Sequence, residues 1–394
     1  TGYVLYQDSH MLTGDGNKDI TLHSRSTETV RRDGSSVRTG AGDDTVSLTG
    51  GSAGGEVFYD RGVAKYDAAT YAVLMENSFI DSGAGHNVIS ITSSLPTGIN
   101  AKDWTGTLWE GGPYAASFAT YAINDDSGIK AGLGTLDSQN ITVANGSNAM
   151  GNGSYIQTGG GQDTISVTAG SLSGGHVKYG MFNNSTIDAG NGRNQIAVSS
   201  EDWAMSGTET LKAGGSYVTG DHYSGGSSIT AGAGNDTISV TSPGRSGSAM
   251  TYSPFLNPGQ GNNVISVTNT NAKANFGIIH NSGILAGDGN NTVNVSSWTQ
   301  AMHDQSYIRL GNGDNNITLT GTAYNASYAL MSDGSLIHAG NGANTVTLTG
   351  PGHGMRNSSI LAGDGGNTVS IAATQGTAMD AVSKIVSGGG NDSI

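Results

Sequence analysis

The stretch AGDGNNTVNV (286–295) places two glycines one residue apart just ahead of an alternating Val293-x-Val295. Glycines so spaced permit a tight bend, and apolar residues alternating with polar ones are the pattern of a half-buried strand. Asn291 joins the bend to the strand, at the point where a calcium-binding turn would carry an Asp. Whether this is an ion site or a turn built on neutral amides bears on the whole chain, because the turn recurs.

Aligned on the first glycine, G-x-G turns begin thirteen times between Gly14 and Gly388. Three residues before that glycine stands an aliphatic or Met, such as Met11, Val37, Ile187, Leu256 or Ile360. Six residues after it comes Ile or Val, as at Val46, Ile165, Ile238 and Val369, with a second aliphatic two residues on. The turn at Gly132 departs from this through an insertion that delays the aliphatic to Ile141. A weaker apolar segment precedes each unit, as in YAVLMENSFI (71–80) and YALMSDGSLI (328–337). Three short strands and three bends per unit predict one coil of a triangular parallel β-helix. The expected fold is therefore an all-β solenoid of about thirteen coils, one unit over 1–394, whose core exists only through stacking. At about 4.8 Å per coil the rod would be roughly 60 Å long.

Composition agrees. Gly is 64 of 394 residues and apolar residues are 35%, too few for several conventional cores yet too regularly placed for disorder. A net charge of −14 with only 17 Lys plus Arg argues against nucleic acid as a partner. No apolar run reaches the length of a membrane span. The chain contains no cysteine, which excludes disulfides and thiolate metal sites and fits a secreted bacterial surface protein.

The pattern G-x-G-x-[D/N]-x-[I/V]-x-aliphatic resembles the nonapeptide of RTX (haemolysin-type) secreted proteins, most closely in GGGQDTISV (159–167) and GAGNDTISV (232–240). The resemblance implies calcium held between paired turns by carbonyls and Asp carboxylates. Here the nonapeptide comes once per coil instead of back to back. The Asp position is Asp at 44, 163, 236 and 392, Lys at 18, and Asn at 87, 140 (after the insertion), 194, 263, 291, 315, 344 and 367. No two Asp fall in successive coils, so an ion between coils would meet at most one carboxylate where it needs several charged oxygens. The reading is a structural asparagine ladder through Asn87, Asn194, Asn263, Asn291, Asn315, Asn344 and Asn367. Cofactors are not expected, except for calcium at a minority of turns around Asp44, Asp163 and Asp236.

Between the two buried aliphatics after each turn lies an outward residue that is Ser or Thr in most coils, for example Thr21, Ser47, Ser166, Ser239, Thr318 and Thr347. This predicts a flat hydroxyl face, able to pack on neighbouring rods or recognise glycans. Three coils carry long insertions at about 51–70, 93–118 and 201–223. They hold Trp104, Trp109 and Trp203, with Tyr59 beside the mixed charges Asp60, Arg61, Lys65 and Asp67. Aromatics near carboxylates suit sugar rings, so these four aromatics are the weak ligand-binding candidates. Neither end reads as a capping unit, consistent with a segment of a longer array or with coils stacking end to end. No acid–base cluster lines a strand, so no catalytic residue is assigned. The expected function is a structural or adhesive extracellular repeat protein, a filament or surface-layer subunit whose partner is its own copies, with neither nucleic acid nor membrane insertion. The alternatives are a polysaccharide-active β-helix of lyase or epimerase type, and a calcium-binding RTX module.

Overall fold

A computed structural model describes residues 5–6, 8–24, 31–32, 34–50, 57–60, 63–66, 75–93, 121–134, 136–170, 178–209, 223–243, 247–270, 276–323 and 327–394. Trp104 and Trp109 lie outside the described residues. The chain winds as a β-solenoid in which each coil contributes one strand to each of three parallel sheets. The first and second sheets have 13 strands and the third has 12, since the last coil ends in its turn.

The aliphatic before each turn fixes the second sheet. Met11, Val37, Ile80 and Ile129 pair in unbroken register, and the column continues to Ile360 and Ile385. The two aliphatics after the turn make two further columns in the third sheet, as in Ile238–Ile265–Val293–Ile317 and Val240–Val267–Val295–Leu319. Nearly all of these side chains are sealed from solvent. Each contributes on the order of 1.5–3 kcal/mol of burial free energy, and only because a neighbouring coil covers it.

The first sheet is built on a column that the alternation alone did not single out. Met75, Ile123, Met150, Met181, Met205 and Met250 lie in register, and the column goes on through Ile278, Met302, Met331 and Met355 to Met379. Of the ten methionines in the chain only Met11 lies elsewhere. An unbranched thioether fits the irregular gap at this edge, where the strands are shorter and the pairing is broken.

The corner between the first and second sheets follows a different rule. Its backbone takes left-handed φ, as at Asp125 and Asp126 (48° and 54°) or Asn183 and Asn184 (48° and 59°). A buried serine stands five residues before the first glycine: Ser78, Ser127, Ser154, Ser185, Ser306 and Ser335 belong to this column. Its hydroxyl closes the corner by donating to the carbonyl three residues back, at 2.6 Å for both Ser185 to Phe182 and Ser335 to Ser332.

The first two insertions leave the coil between the third and first sheets, after strands Thr45–Gly50 and Val88–Ser93. Within the first, Val57–Asp60 pairs antiparallel with Val63–Tyr66, placing the backbone of Tyr59 opposite Ala64. The third insertion does not begin at 201. Residues Trp203–Ser206 form a regular strand of the first sheet, and the chain departs afterwards, from the corner leading to the second sheet. An antiparallel bridge of Thr208–Glu209 with Tyr223–Ser224 closes its base.

Candidate functional site

The recurrent turn is the most elaborated polar feature of the molecule. The second glycine of every G-x-G has positive φ, for example 155° at Gly234 and 141° at Gly313. At most of them a Cβ would overlap the carbonyl of the equivalent glycine one coil earlier, such as Gly289 beneath Gly313, although Gly134 has open space there. These glycines are thus required by the close stacking of backbone on backbone.

Three polar columns flank them. In the inner one, the ladder residue accepts the backbone N–H of its counterpart one coil before. Lys18 donates to Asp44 Oδ1 at 2.9 Å, Asp44 to Asn87 at 3.2 Å, Asn194 to Asp236 Oδ1 at 2.8 Å and Asn291 to Asn315 at 3.0 Å. The chain of bonds runs unbroken to Asp392. Between Asn87 and Asp163 the ladder member is Gln139, not Asn140: Gln139 Oε1 accepts from Asn87, while Asn140 is the first strand residue opposite Thr164. Gln139 stands two residues before Ile141, as Asn87 stands before Ile89 and Asp163 before Ile165, so the rung keeps its ordinary distance from the strand.

Each asparagine of the ladder also donates within its turn. Asn291 Nδ2 lies 3.0 Å from both Gly287 O and Gly289 O, and Asn344 Nδ2 is 3.0 Å from Gly340 O and Gly342 O. The non-asparagine members Gln139 and Lys18 keep this donor role. Gln139 Nε2 donates to Gly85 O and Asp137 O at 2.9 Å, and Lys18 Nζ donates to the carbonyls of Asp15 and Gly16. The two outer columns only accept. Asn312 N–H donates to Asp288 Oδ1 at 2.7 Å, Asn341 N–H to Asn312 Oδ1 at 3.2 Å, and His86 N–H to Asp43 Oδ1 at 2.9 Å.

The aspartates of the inner column break the donor rule. Asp44 and Asp236 are each 1% exposed, and the Oδ2 of each has no hydrogen-bond partner among the described residues. Asp163 Oδ2 accepts from Thr158 Oγ1 at 2.7 Å. Burial raises the pKa of Asp163 above the ordinary carboxylate value, with the Thr158 bond opposing, and pushes that of Asp236 up to about 6.

Calcium, which the RTX resemblance implies, does not fit this donor set. One oxygen of each carboxylate is already committed to a backbone N–H of the preceding coil, and the ladder neighbours are Asn, Gln or Lys. Among the described residues no three carboxylates or imidazoles converge on a point where they could hold a metal. A single carboxylate falls short of the several charged oxygens that calcium needs.

The second candidate surface is the outer face of the third sheet. Thr21, Ser47, Ser90, Thr142 and Ser166 lie in one register column that continues through Ser239 and Ser266 to Thr318, Thr347 and Ser370, interrupted by Ala197 and Asn294. Parallel columns on either side include Thr164, Thr237, Thr345, Thr49, Thr241 and Thr349. Rows repeat at about 4.8 Å and columns at about 6.8 Å. Among the described outward residues in the strands of this sheet, Asp19 and His23 are the only acidic or basic side chains.

Trp203 packs within a row of half-buried rings on the first sheet. Its ring centroid is 5.1 Å from Tyr179 and 5.9 Å from Tyr252, both edge-on, and Tyr252 stacks on His280 at 4.7 Å. These rings spend their faces largely on one another. Burial pushes the neighbouring Tyr121 phenol up to about 12 and raises that of Tyr179 further. The imidazoles at this corner are held below their usual value by burial, although His303 Nδ1 lies 3.0 Å from Asp333 Oδ2. A shallow groove of about 430 Å³ lies over the glycine corner, between Leu136, Arg193 and the backbone of Gly161, Gly192 and Gly234.

Comparison with family models, with curated proteins and with solved structures gives no match.

Proposed function

We propose that the chain is a structural rod of an extracellular surface or filament assembly, and that copies of it dock side by side through the hydroxyl face of the third sheet. The observation that carries this reading is the contrast in charge. The molecule has a net charge of −14, so two copies repel wherever they approach at random, yet this broad face is almost uncharged. It is also flat and repeats with the spacing of any copy of itself, so two such faces can interdigitate in register along many coils. The interior is consistent with a load-carrying role, since backbone, amide and aliphatic columns each cross every coil boundary. The turn motif is used here as a scaffold, and its likeness to RTX repeats goes no further than the geometry of the bend.

Sedimentation of the full chain tests the proposal. Association is expected to strengthen with protein concentration and with salt, which screens the residual repulsion. Lysines at two central positions, Ser239→Lys with Thr318→Lys, are expected to abolish it while leaving the melting midpoint within about 2–4 °C. A chain that stays monomeric under all these conditions, or a double variant that associates like the parent, would contradict the reading.

A further inference from the structure

The inner ladder obeys a hydrogen-bond parity that one residue violates most plainly. Every occupant after Lys18 accepts the N–H of the coil before, and the carbonyls of the turn need a donor in return. Asn supplies one through Nδ2, Gln139 through Nε2 and Lys18 through Nζ. An ionised Asp can accept but not donate, so it cannot return a hydrogen to the turn carbonyls. At three of the four Asp turns the position just before the first glycine holds a hydroxyl residue: Thr39 for Asp44, Thr158 for Asp163 and Ser387 for Asp392. Thr158 and Ser387 bond their carboxylates, and the Thr39 hydroxyl is buried and uncommitted. At the Asp236 turn that position is Ala231, and Oδ2 is left buried and without a partner among the described residues.

We propose that in mildly acidic solution Asp236 is held in the ladder as the neutral acid, its carboxyl proton taking the place of an asparagine amide hydrogen toward the carbonyls equivalent to those that Asn291 engages, here Gly232 and Gly234. It is a proton site in place of the cation site that the turn motif implies. The groups facing it are neutral: Asn194 from the coil before donates to it, Asn263 from the coil after accepts its N–H, and Ala231 lies in its own turn. No charged neighbour contributes to its raised value of about 6; burial does, with bonds from Asn194 opposing.

Linkage sets the sign of the pH dependence. The folded chain holds this proton more tightly than the unfolded one, so stability falls as pH rises from about 4 through about 6 and stays lower above that. Raising a carboxyl from its ordinary value to about 6 changes the folding equilibrium about a hundredfold.

The test compares the full chain with Asp236→Asn and with Ala231→Thr by thermal melting between about pH 4.5 and about pH 8, with calcium or with a chelator. Asp236→Asn supplies the donor permanently, so its advantage over the parent should be smallest at the acid end, grow up to about pH 6 and stay constant above it. Ala231→Thr supplies the missing hydroxyl and should recover part of that gain without removing the acid. Calcium should change none of these midpoints. A difference between parent and Asp236→Asn that is independent of pH overturns the proposal, as does a calcium-induced rise in the parent that the variant lacks.

Discussion

Asn291 and Asn312 look alike in the sequence, yet the ladders ask different things of them. Asn291 accepts from Asn263 and donates to Gly287 O, Gly289 O and Asn315 Oδ1, and it is fully buried. Asn312 offers only its oxygen, to the N–H of Asn341, at a column where Asp15, Asp288 and Asp364 serve equally well. The exchange Asn291→Asp is therefore expected to cost about 1–3 kcal/mol at neutral pH, the range for a buried group left without its hydrogen bond, and to recover in acid. Asn312→Asp should stay within about 0.5 kcal/mol at any pH. Urea midpoints of the two variants measure the difference; equal losses would mean that the inner amide hydrogens are not needed.

At the scale of the strand and the turn, space replaces charge as the deciding quantity. Gly313 has φ of 141°, and a Cβ would collide with Gly289 O, so Gly313→Ala must either open the stack or strain the bend. A loss of about 2 kcal/mol or more is expected in the same urea assay. The methionine column is more forgiving. Met302 is fully buried, but Ile123 and Ile278 occupy the same column naturally. Met302→Ile should cost less than about 1.5 kcal/mol and Met302→Ala about 2–5 kcal/mol, because only the second leaves a cavity.

Across the whole molecule, every coil is both floor and ceiling for its neighbours. The aliphatic columns, the glycine column and the inner ladder cross each boundary together, so coupling between adjacent coils is strong, and distant coils communicate only through those between them. A charge placed in a central layer should cut that line. Ile238→Asp, at a fully buried position of the third sheet, is expected to split a cooperative calorimetric transition into two, one for each flank. A single transition merely shifted downward would show that coupling bypasses the damaged coil.

The periodic part of this architecture was legible residue by residue. The aliphatics three before and six after each glycine, and the outward Ser and Thr between the two aliphatics of a strand, obey rules set by one strand's pleat and one turn's length, and all of these fall into register as the repeat implies. The methionine column and the buried serine at the corner were also written in the sequence, but the third segment of each coil alternates poorly, and their spacing shows only when coils are superposed. Other features were misread in one dimension or gained their meaning only in the fold. The rung assigned to Asn140 belongs to Gln139, which stands two residues before Ile141 as Asp163 stands before Ile165, so counting back from the strand finds it where counting on from the glycine did not. Trp203 belongs to a regular strand and a row of rings, not to a loop. Asp163 and Asp236 sit in near-identical nonapeptides, and the Thr158 or Ala231 just before each is readable in the sequence, but only the fold shows the Thr158 hydroxyl reaching its carboxylate. Local periodicity is a property of the chain, and so the sequence alone determined the coil, the turn and the columns; whether a buried polar atom finds its partner depends on what the fold brings across from the residues around it, and only the tertiary structure decided that.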